Sequence, residues 1–490
     1  MPTRERVTAV LTWWRGRTTL DRARVAVLCV VPVIGIVWVA TRYSENWYVA
    51  DEWMTLRRTL GPLHGLFSNN AGHLIVFSHG LYAVQRSVFG LDGHELPWMA
   101  LSLSLAAMQV ALAMLLWRLG MSALFAMLVA TLVTYFGPGG QNVTWEFQWN
   151  QNAMFALCFL AAFVALGERI TTRKALTVSA LAVLAVGADS QLTALPMVLI
   201  AVLVVRLWPK RLAALALIPP AVAQLAWFAI GHQGPSGSAS LERMWTFAHR
   251  LLLQSAAGLV GGGATGRTDA GVANEPVIPI SPSILGLLVL VTAGAVVTFG
   301  IRRRRLSRSV LAGLVGGSAA ALITVGVLAR TRAFFYKPSL GPILGLSPDE
   351  IENPNFFGSR YVQYVAVFLA VALAPAIAAT MRSRRRPPSR GTSTAVAAGL
   401  IAVFIVNLSQ LGSVVRSYES MASSTKQFVA QTITLIETEC GPGHRLTNGP
   451  QRLDDINVGL LRRLRDHGAF PADFGKRPSR AVRDASCRAR

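Results

Sequence analysis

Long apolar stretches separated by short polar ones dominate the chain, and their length is what a helix needs to cross about 30 Å of hydrocarbon, roughly 17 to 25 residues. Their cores fall at 25–40, 98–117, 122–136, 152–166, 175–186, 192–207, 212–230, 284–300, 310–329, 361–380 and 394–411. The pattern predicts an all-α polytopic membrane protein with about eleven transmembrane helices. Segment 1–24 precedes the membrane domain 25–411, and a polar segment, 412–490, follows it. Three connections, 41–97, 231–283 and 331–360, are long enough to hold more than a turn.

Helical periodicity persists inside two of those connections. Trp53, Leu56, Leu60 and Leu63 recur at helical spacing, as do Leu74, Phe77, Leu81, Val84 and Val88, and again Leu241, Met244, Trp245, Ala248 and Leu252. Stripes of this kind predict amphipathic helices lying in the membrane interface, the second of them alternatively half of a further span. Three on one side imply a roof over the spans.

Composition agrees: 52% hydrophobic residues, 14% charged and a mean hydropathy of +0.45 exclude a string of soluble domains. A net charge of +23 would elsewhere suggest nucleic acid. Here the bases gather in short loops, above all Arg302, Arg303, Arg304, Arg305 and Arg308, and Arg382, Arg384, Arg385, Arg386 and Arg390, with no base-stacking module beside them. No nucleic-acid partner is expected. Placing those loops in the cytoplasm satisfies the positive-inside rule and sets the N-terminus inside. With an odd number of spans, 412–490 is then extracytoplasmic, in a multi-pass protein of the plasma membrane. Trp38 stands where signal cleavage wants a small residue, so the first span is expected to be retained. Cys440 and Cys487 share the outer tail and can form a disulfide there; two free thiols are the alternative.

No P-loop, dinucleotide fingerprint, nucleophile elbow or Cys/His metal spacing occurs. Chemistry therefore falls to the outer segments. Asp51 and Glu52 follow the first span by about ten residues and can serve as an acid pair at headgroup depth, or cap the helix that follows. Asn70 and His73 belong to the same connection, Trp145 and Glu146 to a short turn between spans, Asp189 to another, and Arg330, Arg332, Lys337, Arg360 and Tyr361 border or lie in 331–360. A divalent cation held by Asp51 and Glu52 with a substrate phosphate is compatible with this donor set.

A first span, then Asp51-Glu52-Trp53, Asn70-Ala71-Gly72-His73 and Trp145-Glu146-Phe147-Gln148, followed by many spans with basic loops, resembles the GT-C superfamily of integral-membrane glycosyltransferases. More narrowly the chain is similar to an uncharacterised actinobacterial group of that type, from which it departs at Gly72, where a further acid is expected. The resemblance implies transfer of a sugar from a polyprenyl phosphate to a cell-envelope glycan or lipid acceptor, with inversion, no bound cofactor, and membrane lipid as the donor's anchor. Because phosphate is already a good leaving group, one base suffices. Asp51 is the expected base, and Glu52 is expected to assist it, hold a sugar hydroxyl or coordinate a cation; His73 is expected on the phosphate or the sugar, Asn70, Glu146 and Trp145 on the sugar, and Arg360, Tyr361 and Arg332 on the lipid phosphate. The rival expectations are a transporter or flippase of lipid-linked sugars and a non-catalytic membrane subunit. Span cores nearly free of ionisable residues favour surface chemistry over translocation.

Overall fold

A computed structural model describes residues 19–43, 46–48, 51–61, 67, 69–70, 73–231, 239–262, 281–333, 359–382, 390–438 and 458–470. Almost all of them are helical; among the described residues the strands are one antiparallel pair, β1 (Asn69–Asn70) with β2 (His73–Leu74).

Each of the eleven apolar stretches coincides with a helix: α1 (Thr19–Ala40), α4 (Glu95–Arg118), α5 (Ala123–Thr134), α7 (Trp149–Ala165), α8 (Thr172–Ala188), α9 (Ser190–Leu207), α10 (Lys210–Gly231), α12 (Pro282–Arg302), α13 (Arg308–Arg332), α14 (Ser359–Arg382) and α15 (Arg390–Thr438). Six helices of the described chain are long and apolar enough to cross a membrane, and three more apolar helices are shorter. Their surfaces agree with a lipid solvent. Ile34, Val37, Leu103, Val205, Leu225, Leu287, Val291, Leu322 and Ile405 stand exposed on helix faces, large apolar side chains in a number that suits lipid better than water.

The bundle core is built of small and medium side chains. Ala111, Ala161, Ala162, Ala320 and Ala321 bring helices close, with Leu112, Leu116, Phe155, Phe159, Leu199, Val365 and Phe368 between them. At one end, Arg118 Nε donates to the Leu166 carbonyl at 3.1 Å and Arg305 Nη1 to the Thr380 carbonyl at 3.2 Å, while Arg382 reaches the Gly120 carbonyl. These arginines satisfy exposed helix-terminal carbonyls, as cations at C-termini do. The basic end is thus a clamp of four helices.

The opposite end carries a separate layer. It is made of α2 (Asp51–Arg58), the hairpin, α3 (Val76–Val84) with a π turn (Gln85–Phe89), the far half of α15 and α16 (Val458–Asp466). Trp47, Tyr48, Trp53, Leu56, Ile75, Tyr82, Leu91, Tyr418, Ile433, Leu460, Leu461 and Leu464 form its core. The stripe of α2 is therefore buried in protein, with Trp53 and Leu56 fully covered, because a second layer lies on it. Helix α3 does the reverse. Phe77 and Val84, with Val88 beyond them, face out, and Ser78, His79, Tyr82 and Gln85 face in, the arrangement expected of a helix whose polar face has work inside a protein set in apolar solvent. Leu241 and Trp245 of α11 (Leu241–Gly258) are exposed in the same way, while Phe247 and Leu251 pack inward.

Helix α15 joins the two parts. It runs without interruption through Leu411 to Thr438, and its extension is fastened by Glu419, which accepts from Arg42 Nη1 at 3.0 Å, and by Lys426, paired with Asp92 at 3.3 Å.

Candidate functional site

The acid-bearing end begins with α2. Asp51 is its first residue and Glu52 its second, placed where the exposed amide groups and dipole of a helix favour negative charge. The Asp51 side chain lies outside the described residues. Glu52 is completely buried, and Tyr82 of α3 donates its hydroxyl to Glu52 Oε1 at 2.5 Å. Tyr48 lies between this pair and a second one: its ring is 6.1 Å from Tyr82 and 6.3 Å from His94, and its hydroxyl donates to the Gly93 carbonyl at 2.8 Å.

The second pair is His94 with Glu146. His94, just before α4, uses Nε2 to donate to the Tyr43 carbonyl at 2.9 Å, stacks on the Tyr43 ring at 4.4 Å, and turns Nδ1 onto Glu146 Oε1. Since Nε2 bears a hydrogen, a neutral ring offers only a lone pair at Nδ1, and the contact requires one proton held between imidazole and carboxyl. Burial pushes the Glu146 carboxyl above the usual carboxylate range, against the downward pull of His94. Tyr43 donates to Glu95 Oε1 at 2.8 Å, and burial together with that bond lifts its phenol to about 12. Burial, reinforced by the carboxylates of Glu52 and Glu146, raises the phenols of Tyr48 and Tyr82 well above their ordinary range. Gln85 closes the ring of contacts, giving Nε2 to Glu95 Oε2 at 2.9 Å and taking the Leu96 amide on Oε1 at 2.9 Å.

The turn that carries Glu146 is irregular. Between α5 and α7 the chain passes through two 3-10 turns, Gly137–Gly139 and Glu146–Gln148, and one short helix, α6 (Gln141–Thr144). Glycine is required at its first positions: a Cβ on Gly137 would stand 2.5 Å from the Asn407 carbonyl and one on Gly139 2.6 Å from Gln363 Cβ. Gln363 of α14 gives Nε2 to the Val133 and Thr134 carbonyls at 2.7 and 2.9 Å, satisfying the open end of α5, and accepts from Asn142. Trp145 and Phe147 are buried against each other, 5.7 Å apart, as part of the layer's core.

The remaining expected residues divide by place. Asn70 and His73 pair across the hairpin, and β2 lies against α8, α9 and α10, whose meeting point holds Asp189 and Ser190, both buried; the side chains of Asn70 and His73 are outside the described residues. Arg332, at the end of α13, lies over the Tyr361 ring at 5.7 Å, at the start of α14. Arg360 precedes Tyr361 in that helix, its side chain outside the described residues. Lys337, Cys440 and Cys487 also lie outside them. Among the described residues no three His, Cys, Asp or Glu side chains lie together as a metal-holding set.

Sequence reasoning named Glu52 and Glu146 and missed Glu95 and the groups that hold these carboxyls. Ser78, His79, Tyr82 and Gln85 recur at helical spacing within an apolar stretch, a polar stripe that could have been read as an inward face. His94, 52 residues from Glu146, leaves no such local signal.

Fold and site together define a class: a helical protein of membrane type with an ionisable, aromatic layer roofing one end of its bundle. Comparison with known proteins returns no match to any family model, curated protein or solved structure.

Proposed function

We propose that this protein is an integral-membrane glycosyltransferase of GT-C type, with about eleven spans in the plasma membrane and its layered end facing outward. It moves a sugar from a polyprenyl phosphate to an envelope glycan or glycolipid. The observation that carries the reading is the position of Asp51 and Glu52 at the first turn of a helix that roofs the bundle, at the end that also carries Arg332 beside Tyr361. An acid there meets an acceptor hydroxyl at the membrane surface, and the arginine meets the lipid phosphate that departs.

Asp51 takes the acceptor's proton as the hydroxyl attacks the anomeric carbon, while the bond to phosphate breaks and the lipid phosphate leaves as an anion. Glu52, held by Tyr82, fixes the start of α2 and so the base, and a divalent cation shared with Asp51 would further screen the phosphate.

The test is transfer by the purified full chain, given radiolabelled polyprenyl-phosphate sugars and envelope acceptors. Asp51→Asn, nearly isosteric, is expected to lower turnover by about 10²–10⁴-fold. Unchanged transfer removes Asp51 from the chemistry, and movement of lipid-linked sugar across vesicles without transfer replaces the enzyme with a transporter.

A further inference from the structure

At the end of the bundle opposite the layer, helix ends are drawn together by a chain of contacts. Arg118, closing α4, holds the Leu166 carbonyl just after α7, and Trp208, just after α9, donates to the Ala165 carbonyl at 2.8 Å. Arg382, closing α14, reaches the Gly120 carbonyl, and Arg305, just after α12, holds the Thr380 carbonyl. Segments 166–174, 206–211 and 302–308 therefore share one face with Arg118 and Arg382. Within those segments Glu168 is the single acid, and among the described residues none of their bases is ion-paired.

The charge is densest where α12 ends. Two backbone bonds close that end, from the Arg304 amide to the Ile301 carbonyl and from the Arg305 amide to the Gly300 carbonyl, both at 2.9 Å. They set Arg304 at a φ of +50°, in the left-handed region where glycine is at ease. An arginine stands there instead. The reversal brings both its neighbours to one ring, with Arg303 Cζ 5.6 Å and Arg305 Cζ 5.1 Å from the centre of Phe299. Each cation is attracted to the ring and repelled by the other, and no acid of the described residues pairs with either. Such a cluster calls for an anion.

The surroundings decide where that anion comes from. Exposed apolar side chains line α12 from Ile284 through Leu287, Leu288 and Val291 to Phe299 and Ile301, and the arginines begin at the next residue. Met381, exposed next to Arg382, extends the apolar edge onto α14, which meets α12 where Gly300 lies against Thr380. Apolar surface that stops at a row of guanidiniums matches acyl chains that end at a phosphate. A free phosphate ion would use the arginines and leave the apolar approach without a role.

We infer that the turn 302–305, with Phe299 beneath it, binds the phosphate of a membrane phospholipid whose headgroup is net negative, in the leaflet that meets the basic face. Arg302, Arg303 and Arg304 are exposed and supply the charge, while Arg305 also ties the turn to α14. The site requires that the chain be set in a bilayer, not that it transfer sugar.

Native mass spectrometry of the purified full chain, in neutral detergent carrying equal amounts of phosphatidylglycerol and phosphatidylcholine, tests it. Wild type is expected to retain the anionic lipid at least about tenfold over the zwitterionic one, since each base near anionic lipid contributes a factor of roughly five. Arg304→Gly removes a charge and relaxes the backbone, so its result does not turn on a failure to fold. It should lower the preference roughly fivefold, and Arg303→Gln should do the same. Arg169→Gln combined with Arg173→Gln removes two charges from the same face and should change the preference by less than about twofold, because solvent screens exposed charges outside the site. An equal fall in that double variant spreads the effect over the whole face and overturns the site. So does a preference that survives Arg303→Gln and Arg304→Gly together, or one abolished by millimolar inorganic phosphate, which would make the ligand a free anion. Equal retention of the two lipids by wild type overturns the site too, and leaves the glycosyltransferase reading to its own assay.

Discussion

His94 and Glu146, 52 residues apart in sequence, are locked together inside the layer, with the far nitrogen of the imidazole held by the Tyr43 carbonyl at 2.9 Å. Removing one member leaves the other buried without its partner, which typically costs about 3–5 kcal/mol. His94→Leu should therefore lower thermal stability in detergent far more than Glu146→Gln, which keeps shape and deletes the charge.

The same pair makes stability depend on pH. The Glu146 carboxyl is raised in the folded protein, so the unfolded chain gives up that proton at lower pH than the folded one. Its contribution is complete below the ordinary carboxyl value of 4.5 and is lost as pH rises toward the raised folded value. Melting temperatures measured from pH 4.5 upward should fall, and fall more steeply in His94→Leu. Glu146→Gln should flatten the profile; a slope that persists in that variant assigns it to another group.

Glycine has opposite meanings at two places. A methyl on Gly137 would meet the Asn407 carbonyl at 2.5 Å, whereas one on Gly80, within α3, meets nothing within 4 Å. Gly137→Ala should cost about 1–3 kcal/mol through overpacking. Gly80→Ala should gain about 0.4–1 kcal/mol by restricting the unfolded chain. Paired thermal-shift measurements read both, and equal effects would mean that the turn can shift to admit a methyl.

Burial in the layer's core should count for more than the exposed ion pair at its rim. Leu464 is fully covered in its core, while the Lys426–Asp92 pair is 43% and 57% exposed. Leu464→Ala is expected to destabilise by about 2–5 kcal/mol, and Lys426→Ala by less than about 1 kcal/mol. Chemical unfolding in detergent orders them; the reverse order would make the ion pair the fastening.

The helices were legible because an apolar stretch long enough to cross a membrane has few other ways to satisfy its backbone, and each of the eleven stretches falls on a helix, nine of them wholly within it. Their lengths were less so: α5 stops at Thr134 where the apolar pattern continues to Phe136, since Gly137 and Pro138 start a 3-10 turn. Around the acids, local pattern gave Asp51 and Glu52 their helix start, but Tyr82, His94 and Tyr364 are brought to their partners by packing between distant helices, which periodicity cannot encode. The polar tail after Leu411 hid a helix for a related reason. Tyr418, Ala422, Val429 and Ile433 are spaced for one face, yet polar residues between them hold down the average hydropathy.

Helix α15 has 49 residues, about 73 Å at 1.5 Å per residue, more than twice the thickness of a hydrocarbon core. One strut therefore stands in the bundle and bears the roof. Tipping its foot by a few degrees would swing its upper end by several ångströms, so the seating of the roof is set by how the far end of the same helix is held.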